Sequence, residues 1–284
     1  MPETSDSNPA KLGDRALAEE GRRIRYAVLN FIHWVFKDCR VEIVNSVYPA
    51  YERKPRFLRY VKSTTVKPVE YTDVLLESEG GPIILEAFLW NVLVNEVLGQ
   101  YLWAGETDSA LFLKMKRRFL DGLDPDSSCQ EGYLKWREWV STTIPLLHQS
   151  TRYRIEEMSD GWKDKMITDI LDVIGHGMNP LDRGRISTGL HELIDAAVKQ
   201  DEILCLQQPD LRWLHDDSKM LMECKYKMED REQRWKRANE FGRIKVRVAP
   251  ALVNVYGYQG KESDIRLDAT TLMKGIVHCE VLHS

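Results

Sequence analysis

The apolar positions of the chain are densest between Pro82 and Trp103, where the sequence reads PIILEAFLWNVLVNEVLGQYLW. Up to Leu98 the run contains only four polar residues, which are spread around a helical wheel: Glu86, Asn91, Asn95 and Glu96. A helix that is apolar on all sides is a buried one. Pro82 fits a first helical turn, and Gly99 fits a helix end. The pattern predicts a central core helix over about residues 82–103.

Apolar residues at helical spacing also occur on both sides of this run. They predict helices over about residues 14–36, 108–120, 127–144 and 151–174. Between residues 41 and 72 three prolines interrupt the pattern, which predicts a short helix followed by irregular chain. Beyond a break at 175–180, narrower apolar stripes over 185–208 and 217–241 predict an antiparallel helical hairpin.

The period of the pattern changes only near the C-terminus. Ile244, Val246 and Val248 alternate with basic residues in the segment RIKVRV, which is typical of a half-buried strand. Residues 251–256 and 275–282 are further strand candidates. The sequence thus predicts a mainly α fold, a multi-helix bundle around the buried central helix, with a small antiparallel β element near the C-terminus.

The same pattern divides the chain into three parts. Residues 1–10 are small, polar and proline-containing, and are expected to form a disordered tail. Residues 11–175 are expected to form a helical core domain. The break GHGMNP opens residues 176–284, a helical hairpin plus C-terminal β segment, which we expect to pack on the first part as one unit.

Composition narrows the class of protein. The 284 residues include 43% hydrophobic and 30% charged ones, which is typical of a soluble globular chain. A membrane span over 82–103 is disfavoured, since each carboxylate at the bilayer centre would cost about 2 to 3 kcal/mol. The five cysteines form no CxxC pair, and the N-terminal segment has no apolar signal core. We therefore expect an intracellular protein, cytoplasmic or nuclear.

No motif of known chemistry is complete in the sequence. The segment HELID at 191–195 begins like a zinc-binding HExxH helix, but Asp195 stands where the second histidine is needed. His176 lies between two glycines, a position that can be catalytic, and has no identifiable partner. Glycine-rich phosphate loops, nucleophile elbows and calcium loops are also missing from the sequence. The sequence therefore names no catalytic, cofactor-binding or metal-ligating residue, and we expect no cofactor.

Two other sets of residues suggest alternative functions. Basic and aromatic residues mix in segment 53–67, and segment 114–118 is also basic, so the two together could hold phosphates or nucleic acid. The net charge of -4 argues against that role. An aromatic-lined pocket between helices could instead be walled by the following tryptophans: Trp34, Trp90, Trp103, Trp136 and Trp139. Glu86, Asn91 and Asn95 would then face into it.

Three apolar signatures give the chain a resemblance to a group of uncharacterised helix-rich proteins of filamentous fungi. They are Ala87 to Trp90 followed by Trp103, Ala104 and Gly105; Leu193, Ile194, Ala197, Val198 and Asp201 leading to Arg212 and Trp213; and Val246 to Leu252 with a strand near Cys279. The resemblance implies an intracellular fungal protein and supplies no activity or site residue.

These observations favour a non-catalytic intracellular helical protein that acts through protein–protein contacts, as a regulatory or accessory factor. Its partner would be another protein or a second copy of the chain. The alternative is an enzyme or small-molecule-binding protein with the aromatic-lined pocket, and a third hypothesis is phosphate or nucleic-acid binding through 53–67 and 114–118.

Overall fold

A computed structural model describes the chain at residues 12–39, 56–65, 71–76, 80–121, 135, 138–140, 142–146, 161–175, 178–207, 210–214, 222–225, 235–237, 244–259 and 266–279. Its helices are α1 (Asp14–Asp38), α2 (Leu58–Lys62), α3 (Tyr71–Leu76), α4 (Gly80–Glu96), α5 (Glu106–Asp121), α7 (Gly161–Ile174) and α8 (Pro180–Cys205). Residues 138–140 and 142–146 are helical as well, and we label them α6. The strands are β1 (Asp210–Leu214), β2 (Met222–Lys225), β3 (Trp235–Arg237), β4 (Ile244–Ala249), β5 (Ala251–Gln259), β6 (Arg266–Met273) and β7 (Gly275–Cys279). The expected tail at 1–10 lies outside the described residues.

Helix α4 is the centre of the molecule, as its all-round apolar sequence predicts. It packs against the helices α1, α2 and α3 and against the strand β4. Trp90 is fully buried, with its ring centroid 5.3 Å from that of Trp213 in β1. The helix ends at Glu96, earlier than predicted, because Gly99 turns the backbone with φ of 74° and a short 3₁₀ helix, Leu102–Ala104, follows.

Helices α1 and α8 lie side by side in opposite directions. The start of α1 meets the end of α8, where Gln200 Nε2 donates to Glu20 Oε2 over 3.2 Å. Farther along, Gly189 of α8 lies against Phe31 and Trp34 of α1. The predicted break before α8 is built by Asn179, whose side chain accepts a hydrogen bond from the Asp182 amide, and by proline in the first turn. Helix α7 packs on the far side of α8.

The strands β4 to β7 form one bent antiparallel ladder. Strand β4 pairs with β7 as far as Ala249 and Ile276, and β5 pairs with β6 from Leu252 and Met273 onward. Strand β1 joins β5 in a three-stranded sheet, whereas β2 joins β7 in a four-stranded sheet with the order β3-β2-β7-β4. The pairing of β2 with β7 is parallel.

Helix α1 lies directly on the bend of this ladder. Arg25 Nη2 donates to the carbonyl oxygens of Pro250, over 3.1 Å, and of Lys274, over 2.7 Å. One turn earlier, a Cβ atom on Gly21 would come within 2.8 Å of Leu252 Cδ2. The missing side chain of Gly21 thus allows α1 to approach the sheet closely.

The mainly α fold with a small antiparallel β element near the C-terminus is confirmed. The prediction of a second hairpin helix at 217–241 is wrong, since the described parts of that segment are the strands β2 and β3. The sequence also did not predict β1 or β6, so the β part is larger than the predicted pair. Among the described residues no helix combines the length and apolar character that a membrane crossing requires.

Candidate functional site

An open groove of about 610 Å³ runs between α1 and α8. Its walls come from both helices: Ala27, Asn30, Phe31 and Trp34 of α1, and Arg185, Thr188, Gly189, Glu192 and Leu193 of α8. Phe31 and Leu193 are buried at the bottom, while Asn30, Thr188 and Glu192 are exposed at the rims. The groove therefore offers an apolar floor between polar edges, which is the form of many ligand and peptide sites.

Helical spacing explains how the sequence builds this groove. Residues 27, 31 and 34 share one face of α1, and residues 185, 189 and 192 share one face of α8. Gly189 is the closest point between the walls, because a Cβ atom there would lie 3.0 Å from both Phe31 Cε2 and Trp34 Cζ3. The absence of a side chain at 189 lets both aromatic rings approach α8 closely. Phe31 is buried there, whereas Trp34 stays partly exposed to the groove.

Two charged side chains line the groove without an ion pair to any other described residue. The Arg185 guanidinium lies 5.7 Å from the centroid of the Trp34 ring, within the range of a cation–π contact. Glu192 is exposed one turn beyond Thr188. Three other side chains along this part of α8 contact α7: Arg183 with Asp172, His191 with Asp164, and Asp195 with Lys163.

The structure separates most of the tryptophans that were predicted to share a pocket. Trp34 lines the groove, Trp90 belongs to the main apolar core, and Trp103 belongs to a second apolar cluster with Phe112. Trp139 packs against this second cluster, and Trp136 lies outside the described residues.

The polar residues of α4 do not face the groove. Asn91 Nδ2 donates to the Tyr60 carbonyl oxygen over 3.4 Å, and Asn95 Nδ2 donates to the Asn91 carbonyl oxygen over 2.7 Å. Glu86 is buried within the same helix. Both asparagines are thus satisfied inside the fold rather than offered to a ligand.

The HELID segment gives no zinc geometry in the described part of the chain. His191 Nε2 lies 3.3 Å from Asp164 Oδ1, and Asp195 Oδ1 lies 2.5 Å from Lys163 Nζ. Both side chains therefore connect α8 to α7. No group of three or more metal-binding side chains occurs among the described residues. His176 lies outside them.

Asp201 is a buried carboxylate that binds backbone. Its Oδ1 accepts the Gly99 N–H over 2.6 Å, which fixes the turn after α4. Burial raises the pKa of Asp201 to about 6, although the Gly99 hydrogen bond and the charge of Lys116 act in the opposite direction. The pKa of the neighbouring Cys205 thiol is raised by burial as well. Asp201 therefore holds the turn after α4 in place. Cys205 is a poor nucleophile, because its thiol keeps its proton.

The described residues of the basic segment at 53–67 are bound within the fold. Arg56 pairs with Glu96 and Asp169, and Arg59 also pairs with Glu96. The Tyr60 hydroxyl donates to Glu96 Oε1 over 2.6 Å. These contacts attach α2 and the residues just before it to α4 and α7. The phosphate-binding hypothesis stays a prediction, with these two guanidinium groups already engaged by carboxylates.

Neither known protein families, nor curated proteins, nor solved structures give a match to this chain. The groove must therefore be understood from its own geometry. Its two walls are separated by about 150 residues of sequence, so no local sequence pattern predicts that they lie side by side. Of the residues that were proposed from sequence for a pocket and that the structure describes, Trp34 alone lines the groove.

Proposed function

We propose that this protein is a non-catalytic binding protein that acts through protein–protein contacts, with the α1–α8 groove as its docking surface. The observation that carries the proposal is an open groove between two helices, with the partly exposed Trp34 in its apolar lining. A helix or peptide that laid its apolar side chains on Ala27 and Trp34, both partly exposed, would remove that surface from water. This removal is the usual driving force for such docking.

Two exposed apolar side chains near the groove support a protein partner. Leu181, one helical turn before Arg185, is 81% exposed, and Tyr26, one turn before Asn30, is 58% exposed. They extend the apolar surface beyond the groove, farther than a small ligand would need. The side chains that drew attention as chemical candidates, His191 and Asp195, already serve the fold through their contacts with α7.

Cross-linking from inside the groove tests the proposal. A photoreactive benzoylphenylalanine would be placed at Thr188, which is exposed and lines the groove, and in a second protein at Thr168 of α7. The two threonines are matched, since both are exposed and each hydroxyl donates a hydrogen bond to the carbonyl oxygen four residues earlier. We expect a specific protein adduct from position 188 and none from position 168.

The adduct must then pass a second step with purified components. Mass spectrometry identifies the partner, and its affinity is measured for the native chain and for Trp34→Ala. We expect the affinity to fall by at least about tenfold, because the variant removes part of the apolar floor. Equal adducts from both positions, or an affinity that Trp34→Ala leaves unchanged, would contradict the proposal.

A small-molecule site is the second candidate, because a volume of about 610 Å³ lies within the usual range for ligand pockets. A library of aromatic fragments, screened by melting temperature, would favour this function if fragments raised the melting temperature of the native chain but not that of Trp34→Ala. An enzymatic role would require one of these fragments also to be converted.

The cellular setting belongs to the same proposal. We infer a cytoplasmic, fungal protein from the cysteine pattern and from the resemblance to helix-rich proteins of filamentous fungi. Fluorescent tagging in a filamentous fungus would test the location, and a secreted or membrane-bound product would contradict it.

A further inference from the structure

The exposed face of α8 carries a pattern that is complementary to itself. Leu181, Arg185, Thr188, Glu192 and Ala196 follow one another at spacings of three and four residues, so they form one stripe along the helix. All five are exposed. Arg185 and Glu192 are seven residues apart, or about 10 Å along the axis, too far to pair directly within one helix.

The pattern is symmetric about a point between Thr188 and Gly189. Arg185 and Glu192 are equally distant from that point, and so are Leu181 and Ala196. If a second α8 lay antiparallel on the first, with a two-fold axis through this point, each Arg185 would face the Glu192 of the other copy. Leu181 would face Ala196 in the same way. Such reciprocal pairing is the property of a symmetric dimer interface.

The groove gives this pairing the room it needs. Gly189 has no side chain at the centre of the pattern, and the groove beside it is open. Arg185 and Glu192 each make no ion pair with the other described residues, whereas Arg183, His191 and Asp195 on the same helix all have carboxylate or amine partners on α7. A second copy would neutralise both of these charges.

We propose that the occupant of the α1–α8 groove is a second copy of this chain, docked through an antiparallel α8–α8 contact with two Arg185–Glu192 ion pairs. This inference rests on the proposed function and names its partner. The dimer is isologous, so it closes on itself and exposes no further copy of the same surface.

Charge reversal tests the pairing, with sedimentation velocity and light scattering as the measurements. We expect the native chain to dimerise in a concentration-dependent way. Arg185→Glu places carboxylates opposite each other at both pairs, and Glu192→Arg places guanidinium groups opposite each other. Each variant should raise the dimer dissociation constant by at least about tenfold. The double variant, Arg185→Glu with Glu192→Arg, should restore it.

Mixing the two single variants gives the sharpest result. Each alone is expected to dimerise weakly, yet their equimolar mixture should form a heterodimer with about the native affinity, because opposite charges then face each other at both pairs. Lys165→Glu on α7, an exposed charge reversal outside the stripe, should leave dimerisation unchanged. Circular dichroism confirms that every variant is folded before its mass is measured.

Two outcomes would overturn the inference. One is a native chain that stays monomeric at its highest soluble concentration, and the other is a dimer on which the reversals have no effect. If the chain is monomeric while Thr188 still cross-links to a different protein, the self-pairing fails and the docking function stands. If position 188 forms no adduct of any kind, both fail.

Discussion

At the scale of single residues, Asp201 shows how the fold places a charge for a structural purpose. It lies on the buried stripe of α8 with Leu190, Ile194 and Ala197, and is itself only 4% exposed. A carboxylate within the apolar stripe of a helix can be seen in the sequence, and it indicates a buried charge that needs a partner. The sequence cannot show its partner, because the Gly99 N–H lies on a turn about a hundred residues earlier.

The pKa of Asp201 makes stability depend on pH. It is about 6 in the folded chain against 3.8 for an ordinary aspartate, so the folded state holds the proton more tightly. The resulting stabilisation is complete below about pH 4 and is lost as the pH rises through 6, a change of roughly 3 kcal/mol. We expect Asp201→Asn, which keeps an acceptor for Gly99 and has no charge, to lack this loss.

Urea unfolding of the native chain and of Asp201→Asn between pH 4 and pH 8 measures the effect. The free energy of the variant minus that of the native chain should increase up to about pH 7 and then level off. Asp195→Asn, which removes an exposed carboxylate of the same helix, serves as the control and should stay within about 1 kcal/mol at all pH values. A difference for Asp201→Asn that was the same at pH 4 and pH 7 would show that burial does not raise this pKa.

At the scale of elements, two glycines in helices give opposite expectations. Gly184 in α8 has nothing within 4 Å of the position a Cβ would take, so Gly184→Ala should stabilise the chain by roughly 0.5 to 1 kcal/mol. Gly21 in α1 is helical too, but its new Cβ would meet Leu252 Cδ2 in the buried sheet. Overpacking costs typically about 1 to 3 kcal/mol, which leaves Gly21→Ala roughly 0 to 2 kcal/mol less stable.

Thermal and urea unfolding of the two alanine variants distinguish these expectations. Equal stabilisation by both would mean that α1 does not lie closely on β5 and β6. The hydrogen bonds from Arg25 to the bend of the ladder need the same close approach of α1. Equal stabilisation would therefore argue against these hydrogen bonds as well.

The elements that the sequence predicted are those whose pattern is local. Helix α1, helix α8 and strand β4 each have a complete apolar period within their own residues, and the structure has them where that period lies. The segment 217–241 has a helix-like apolar spacing broken by Arg231, and its described parts instead form strands. Strand β2 pairs with β7, about fifty residues later, so its stabilising partner is invisible in the local pattern. The groove escaped prediction for the same reason, since it exists only where two distant helices meet.

At the scale of the whole molecule, Trp90 joins the helical and β parts. Its ring is fully buried in α4 and lies against Trp213 of β1, while α4 also packs on β4. This contact bears on the expectation that the two parts of the chain behave as one unit. If they do, loss of the Trp90 side chain should weaken both parts together, by roughly 3 to 5 kcal/mol.

Trp90→Ala therefore tests the centre of the fold and its unity at once. We expect a much lower melting temperature, with the helical signal at 222 nm and hydrogen exchange in β5 and β6 reporting the same transition. Lys114→Ala, at an exposed position of α5, is the control and should change stability by no more than about 0.5 kcal/mol. Lys116 is less suitable, because its Nζ lies 5.7 Å from the Tyr101 ring centroid. If the strands of the variant opened well before its helices melted, the β part would be a separate unit, and α4 would be the core of the helical part alone.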